Sequence, residues 1–144
     1  MRVNNKGFTL VEMLAVIVIL GVLATIMVPT VTSMIRKNQQ DNLKNLNKSI
    51  ISAAKMYISD NRYEITLDGQ TCGGGVTKRS ITYIGEQEIK NSQITVQTLI
   101  KNDYLTDGDM LNEDGEEIDR DKSYIEVVYD CNKKDYTYYD PYLE

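Results

Sequence analysis

The chain has 144 residues and a mass of 16.4 kDa, the size of one ordinary domain with one possible appendage. Its formal charge of −5 and its pI near 4.8 argue against nucleic-acid binding through a broad basic surface. Histidine is absent, which excludes hydrolases that use a histidine base and most zinc sites.

A long apolar run lies near the N-terminus. It extends without a charge over the 23 residues from Met13 to Ile35, and a helix of that length spans about 34 Å, against about 30 Å for a bilayer core. Arg2 and Lys6 precede it, which predicts that this end stays in the cytoplasm and that the remainder faces outward. A cleaved secretory signal fits poorly because the run is long and lacks a small-x-small cleavage site, whereas a plain single-pass anchor fits the hydropathy.

Glu12 is the unexpected residue of this segment. A carboxylate in lipid costs about 2.5–3.5 kcal/mol at the bilayer centre and less near the surface. A residue of this kind is a functional candidate and requires a partner.

The sequence KGFTLVE at positions 6–12 resembles the processing site of type IV pilins and pseudopilins. The resemblance implies that a prepilin peptidase cuts between Gly7 and Phe8 and methylates the new amino terminus. Residues 1–7 are then a leader peptide, and Phe8 becomes the N-methylated first residue. The resemblance covers about the first 35 residues and places Glu12 at the charged position of the motif.

Glu12 lies four residues after the expected new amine, on nearly the same helix face. In a lone subunit the two groups can pair internally. In a stack of subunits, Glu12 can instead meet the Phe8 amine of its neighbour, and an apolar fibre core strengthens that attraction. We therefore expect Glu12 to set the axial register of a helical polymer.

Gly21 and Pro29 fall at the helix-weakening positions of the same family. Both residues are also tolerated in ordinary membrane helices. Because Pro29 lacks an N–H and Gly21 lowers helix stability, the segment between them is expected to unwind locally in the assembled state.

The helical pattern continues past the apolar run. No glycine or proline interrupts residues 30–60, and apolar residues recur every three or four positions between Leu43 and Ile58. We predict one helix from about Phe8 to about Asn61, or roughly 80 Å. Residues 8–35 form its membrane and polymerisation half, and residues 36–61 form an amphipathic half that packs on a head domain. A coiled-coil partner is the alternative.

Residues 62–144 have the pattern of a small β-rich head. The residues Val76–Ile84, Tyr124–Tyr129 and Cys131–Asp140 have the composition of strands, and the last two are separated by a turn around positions 132–135. The predicted fold class is therefore α+β, with a long N-terminal helix packed on a small antiparallel sheet.

Three shorter signals complete the head. The segment Thr95–Tyr104 has the spacing of a short helix with Thr95 or Ser92 as its cap, and Asp114-Gly115 is a hairpin-turn signal. The triple glycine at positions 73–75 lacks the Lys-Ser/Thr of a phosphate-binding loop, so nucleotide binding is not expected.

Cys72 and Cys131 both lie in the head, outside the membrane in the expected topology. Two cysteines in an exported domain predict one disulfide, and two free buried thiols are the alternative.

Residues 103–121 carry nine acidic residues and one basic residue, Arg120. A solvated acidic loop is the preferred interpretation, and no cofactor is expected. Calcium is the alternative, because some pseudopilin heads that this chain resembles bind it, but the spacing does not fit an EF-hand loop. The candidate ligands are Asp107, Asp109, Glu113 and Asp114.

Two surface features of the head remain open. The late tyrosines are expected to pack the sheet on its helix rather than to form an adhesive surface; they are Tyr136, Tyr138, Tyr139 and Tyr142. The helix beyond the apolar run is basic and the segment 103–144 is acidic, which predicts that neighbouring subunits attract each other and that salt weakens their fibre.

These observations predict a structural role rather than an enzyme. The chain is expected to be a subunit of a type IV pilus-like filament that serves adhesion, motility or surface attachment. The first alternative is a pseudopilin or minor pilin of a type II secretion or DNA-uptake apparatus, and the second is a membrane-anchored binding or adhesion module. The resemblance implies as partners other pilins, a prepilin peptidase, an assembly platform protein and an ATPase. The expected location is the cytoplasmic membrane, with lipid around the helix, and then a cell-surface filament.

Overall fold

A computed structural model describes residues 8–144, apart from the side chain of Pro29. Residues 1–7, including the predicted cleavage residue Gly7, lie outside the described part of the chain. The chain divides into two compact units, with the boundary between Gln40 and Asp41. The functional division at residues 35 and 61 stays a prediction.

Helix α1 extends over Leu10–Asp60, 51 residues, and confirms the predicted long helix almost to the residue. The described residues from Thr30 onward contain no helix breaker until the chain reaches Asn61. Its N-terminal part contributes to the first unit and its C-terminal part to the second.

The second unit adds a small sheet and a short helix to the end of α1. The strands are β1 (Ile65–Leu67), β2 (Lys78–Ile84), β3 (Gln87–Glu88), β4 (Gln93–Thr95), β5 (Tyr124–Asp130) and β6 (Asp135–Tyr138). Helix α2 is Val96–Lys101, and single 3₁₀ turns occur at Arg62–Glu64 and Lys90–Ser92.

All strand pairs are antiparallel. The order across the sheet is β1-β2-β5-β4, with β3 paired to β2 and β6 paired to β5. Strand β5 is central: its first half pairs with β4, and its second half pairs with β2 and β6. The predicted α+β architecture is confirmed.

The core lies between the sheet and the apolar face of α1. That face is fully buried at Ile50, Ala54 and Ile58, with relative exposures of 0–2%. Since burying a large aliphatic side chain contributes about 1.5–3 kcal/mol, this contact is the main source of stability in the head. The facing residues are Ile81, Ile84, Ile94, Val96, Leu99, Ile125 and Val127.

The three predicted strands are confirmed with changed bounds. β5 is one residue longer than the predicted Tyr124–Tyr129, whereas the other two strands are shorter than predicted. β2 begins at Lys78 rather than Val76, because Val76 closes a turn by bonding back to Gly73. In the stretch Cys131–Asp140 only Asp135–Tyr138 is a strand, because residues 131–134 form the turn that precedes it.

The predicted short helix is also confirmed. Thr95 caps α2 by accepting from the N–H of Thr98, as expected of a threonine at this position. The helix ends at Lys101, earlier than Tyr104, because Asp103 takes a left-handed conformation with φ of 61°.

Candidate assembly surface

The surface of α1 in the first unit is apolar and uncovered. Its large apolar side chains are exposed within the described chain, from Leu23 at 44% to Leu10 at 80%. This helix is long and apolar enough to cross a membrane. In water such a surface is unstable, so it requires lipid or other apolar helices around it.

The N-terminus of α1 is closed by a capping box. The N–H of Glu12 donates to Oγ1 of Thr9 at 3.3 Å, and the N–H of Thr9 donates to Oε2 of Glu12 at 3.2 Å. The Thr9 hydroxyl donates to the same Oε2 at 3.2 Å. Glu12 therefore has a structural role in the first turn, besides the role expected of it in assembly.

Thr9 is a residue that the sequence reasoning missed. The signal was present, because a threonine followed three residues later by glutamate is the pattern of a capping box. Phe8 itself lies just before the helix, 73% exposed.

Hydroxyl groups within the apolar segment are satisfied by the helix itself. Thr25 donates to the carbonyl of Val22 at 2.7 Å, and Thr30 donates to the carbonyl of Ile26 at 3.1 Å. Ser33 likewise donates to the carbonyl of Thr30 at 2.8 Å. These bonds allow the polar residues to enter an apolar environment without a free hydroxyl.

Gly21 and Pro29 both lie within the unbroken α1. A Cβ added at Gly21 would meet no atom within 4 Å, so nothing within the described chain requires glycine there. The predicted local unwinding belongs to the assembled state and stays a prediction.

The predicted disulfide is confirmed. Cys72 and Cys131 are bonded, with an S–S distance of 2.04 Å and a sequence separation of 59. The bond joins the loop that contains the triple glycine at positions 73–75, before β2, to the turn that follows β5. Beside it, the N–H of Cys131 donates to the carbonyl of Thr77. The disulfide therefore fixes the end of the β2–β5 pairing at which Lys78 faces Asp130.

Arg120 organises the acidic segment. Its guanidinium contacts Asp107 at 3.1 Å and Glu117 at 3.0 Å, and it also donates to the carbonyl of Gly108 at 3.2 Å. Among the described residues, no group of three or more possible metal ligands comes together. Calcium at Asp107, Asp109, Glu113 and Asp114 remains an untested hypothesis.

The tyrosines near the C-terminus have different roles. Tyr136 and Tyr138 are half-buried against the core, as the packing interpretation predicts, and burial raises the pKa of Tyr138 to about 12. Tyr142 is 52% exposed and lies beside the Tyr124 ring at 5.3 Å. The Tyr139 hydroxyl accepts a hydrogen bond from Lys78.

Asp68 stabilises the head only in its ionised form. The N–H of Ser80 donates to its Oδ2 at 2.9 Å, and Arg79 pairs with its Oδ1 at 3.3 Å. These contacts, the Ser80 bond first, lower the pKa of Asp68 below its ordinary value of 3.8. Since the folded pKa lies below the unfolded one, this stabilisation is complete above the unfolded pKa and is lost as the pH falls through the folded pKa.

We therefore expect Asp68→Asn to lower the free energy of unfolding at pH 7, and we expect this effect to shrink as the pH falls below about 4 towards the folded pKa. Urea unfolding of both proteins at pH 7 and at pH 3 measures the difference. The matched control is Asp140→Asn at an exposed position, with no effect at either pH. An Asp68→Asn difference that is as large at pH 3 as at pH 7 would contradict the assignment.

Comparison with known proteins finds a family model and curated relatives that are similar to parts of this chain. The family model described as the prokaryotic N-terminal methylation motif matches residues 2–28. The chain is 45% identical over 69 residues to type II secretion system core protein G of Pectobacterium carotovorum subsp. carotovorum, covering 46% of this chain and 43% of that protein. It is 35% identical over 57 residues to the type IV major pilin protein PilA of Myxococcus xanthus, covering 40% of this chain and 26% of that protein.

The chain thus spans less than half of the length of these curated relatives. No solved structure matches it. The methylation motif coincides with the segment that carries the cap at Thr9 and the exposed apolar helix. The chain therefore carries the N-terminal methylation motif at the start of a long helix whose end packs on a small antiparallel sheet, and over part of its length it is similar to a type II secretion core protein and to a type IV pilin.

Proposed function

We propose that this chain is a structural subunit of a pilus-like filament, assembled through its apolar N-terminal helix. The observation that carries the proposal is the uncovered apolar surface of α1 in the first unit, directly behind a methylation motif. A helix of this kind is stable in lipid and equally stable among copies of itself.

The driving force in the filament is lateral packing of these helices. Lipid already solvates the apolar side chains, so burial among neighbours adds little hydrophobic energy and close packing supplies the attraction. Extraction from the membrane therefore requires external work. We assign this work to an assembly ATPase with its platform protein, and the preceding cleavage after Gly7 to a prepilin peptidase.

The proposed topology follows from the charges that flank the apolar run. The N-terminus lies in the cytoplasm and the head lies outside the cytoplasmic membrane, where a disulfide between Cys72 and Cys131 is chemically stable. After assembly, the head forms the outer surface of the filament.

Mechanical shearing of intact cells tests the proposal. We expect the chain in the sheared fraction as long fibres that antibodies against the head decorate along their whole length. A chain that remains entirely in the membrane fraction, in cells that express the whole assembly system, would contradict it and would favour an anchored binding module.

A second candidate is a pseudopilin of a type II secretion apparatus. The 45% identity to core protein G favours it specifically. The chemistry of assembly is the same in both cases, but the product is a short fibre within the envelope. Imaging separates the two, because a pseudopilin leaves no surface fibre while deletion of its gene abolishes export of secreted proteins.

A further inference from the structure

We propose that the lysine face of α1 in the head docks on the acidic turn of a second copy of this chain. The lysine face consists of Lys44, Lys48 and Lys55, and the acidic turn is Asn112–Glu116. The inference rests on the proposed filament and names the contact that joins one head to the next.

The three lysines share one side of the helix. They are spaced by four and seven residues, which places them within about 40° of one another around α1. The buried stripe that contains Ile50 and Tyr57 occupies the other side. Asp41 also lies on the lysine side, so the face carries a net charge of about +2.

The lysine face has no ionic partner within its own molecule. Lys44, Lys48 and Lys55 are exposed, and none of them has a carboxylate within 4.0 Å among the described residues. Lys55 lies over the Tyr138 ring, 5.6 Å from its centroid, which orients one end of the face. Three aligned and unpaired ammonium groups form a surface for a polyanionic partner.

The acidic turn presents the complementary charge on a rigid backbone. The side chain of Asn112 accepts from the N–H groups of Asp114 and Glu116, both at 3.0 Å, and the turn closes between the N–H of Asn112 and the carbonyl of Glu116 at 2.8 Å. Gly115 takes the left-handed conformation, with φ of 81°. Glu113, Asp114 and Glu116 are exposed, without an ion pair among the described residues.

An open groove of about 300 Å³ lies beside the acidic turn. Leu43 and Asn47 of α1 form one wall, and the C-terminal residues from Pro141 to Leu143 form another. The groove therefore combines the apolar side chains of Leu43 and Leu143 with the carboxylates of Glu113 and Asp114, which suits the aliphatic stem and the ammonium head of a lysine.

A second copy is the occupant that the charges favour. The two surfaces consist of different residues. The acidic turn lies beside Leu43 and Asn47 of its own α1, but no lysine of the face forms an ion pair with it among the described residues, and pairing the two surfaces between copies gives a head-to-tail contact. Repetition of such a contact produces an open helical polymer when the rotation does not close into a ring. The same geometry is what a filament subunit requires.

Carbodiimide cross-linking of the full chain in native filaments tests the contact. The reagent joins lysine amines to carboxylates already in contact, and filaments grown from mixed ¹⁴N and ¹⁵N cells reveal links between copies. We expect peptides of mixed isotope that join Lys44 or Lys48 to Glu113, Asp114 or Glu116. Cross-linked peptides of a single isotope only, or mixed peptides that involve only lysines outside the lysine face, would overturn the proposal.

Reciprocal charge reversal gives an independent test. Lys44→Glu with Lys48→Glu is expected to raise the critical concentration of filament roughly tenfold at 0.1 M salt and to have little effect at 1 M. Adding Glu113→Lys and Asp114→Lys restores assembly. The matched control, Lys90→Glu with Lys101→Glu, makes the same charge change on exposed residues elsewhere and leaves assembly unchanged.

The outcomes separate this inference from the proposed function. If the Lys44/Lys48 reversal variant assembles as well as the wild-type chain and the control variant, the docking contact is overturned and the proposed filament is not. Failure of the wild-type chain to form any filament would overturn the proposed function itself.

Discussion

Replacing Glu12 by alanine is expected to reduce the amount of filament by about a hundredfold. In the proposed filament we expect the amine of Phe8 to be surrounded by apolar helices, so that removal of its carboxylate partner leaves a buried charge unpaired. Such a loss costs about 3–5 kcal/mol, far more than a surface ion pair. The measurement is the ratio of sheared filament to membrane-bound chain in cells that make equal amounts of both proteins.

Two variants separate the charge of Glu12 from its role in the helix cap. Thr9→Ala removes the two hydrogen bonds that the Thr9 hydroxyl makes with Glu12 and is expected to cost about 1 kcal/mol, with a moderate loss of filament. Glu12→Gln retains an acceptor for the N–H of Thr9 but not the charge, so we expect it to behave like the alanine variant. Normal assembly of Glu12→Gln would contradict the assigned charge pairing.

Replacing both cysteines by serine is expected to lower the free energy of unfolding of the head by about 4 kcal/mol. The bond closes a loop with a sequence separation of 59, and cross-linking a loop of that length removes a corresponding entropy from the unfolded chain. Since small domains have total stabilities of about 5–15 kcal/mol, the loss is a large fraction of the whole.

Urea unfolding of the detergent-solubilised full chain measures this effect. Wild-type protein in reductant is the matched control, and its transition should coincide with that of the Cys72→Ser, Cys131→Ser variant. An unchanged transition in both samples would show that the loop is held by the sheet alone, through the pairing of Lys78–Ser80 with Val128–Asp130.

The long helix was the most predictable element, because hydropathy and the absence of breakers agree over its whole length. The strands β2 and β5 were also predictable, since their β-branched and aromatic residues form clear runs. The strands β1, β3 and β4 were not predicted. Gln87–Glu88 is a two-residue strand without an apolar side chain, and it exists only because β2 supplies its hydrogen-bond partner.

The candidate sites were predictable only where their chemistry is local. The position of Glu12 could be read from the sequence because its expected partner is four residues away. The groove beside the acidic turn could not, since Asn47 and Asp114 meet only after the sheet has packed on α1. The basic character of the helix was evident, but the lack of ionic partners for Lys44 and Lys48 required the folded head.

The most direct test is the mass of the N-terminal peptide from native sheared material. We expect a chain that begins at Phe8 and carries one methyl group on its amine, because the proposed cleavage after Gly7 creates the charge with which Glu12 is expected to pair. A chain that retains residues 1–7 without an added methyl group would contradict assembly through the processed helix.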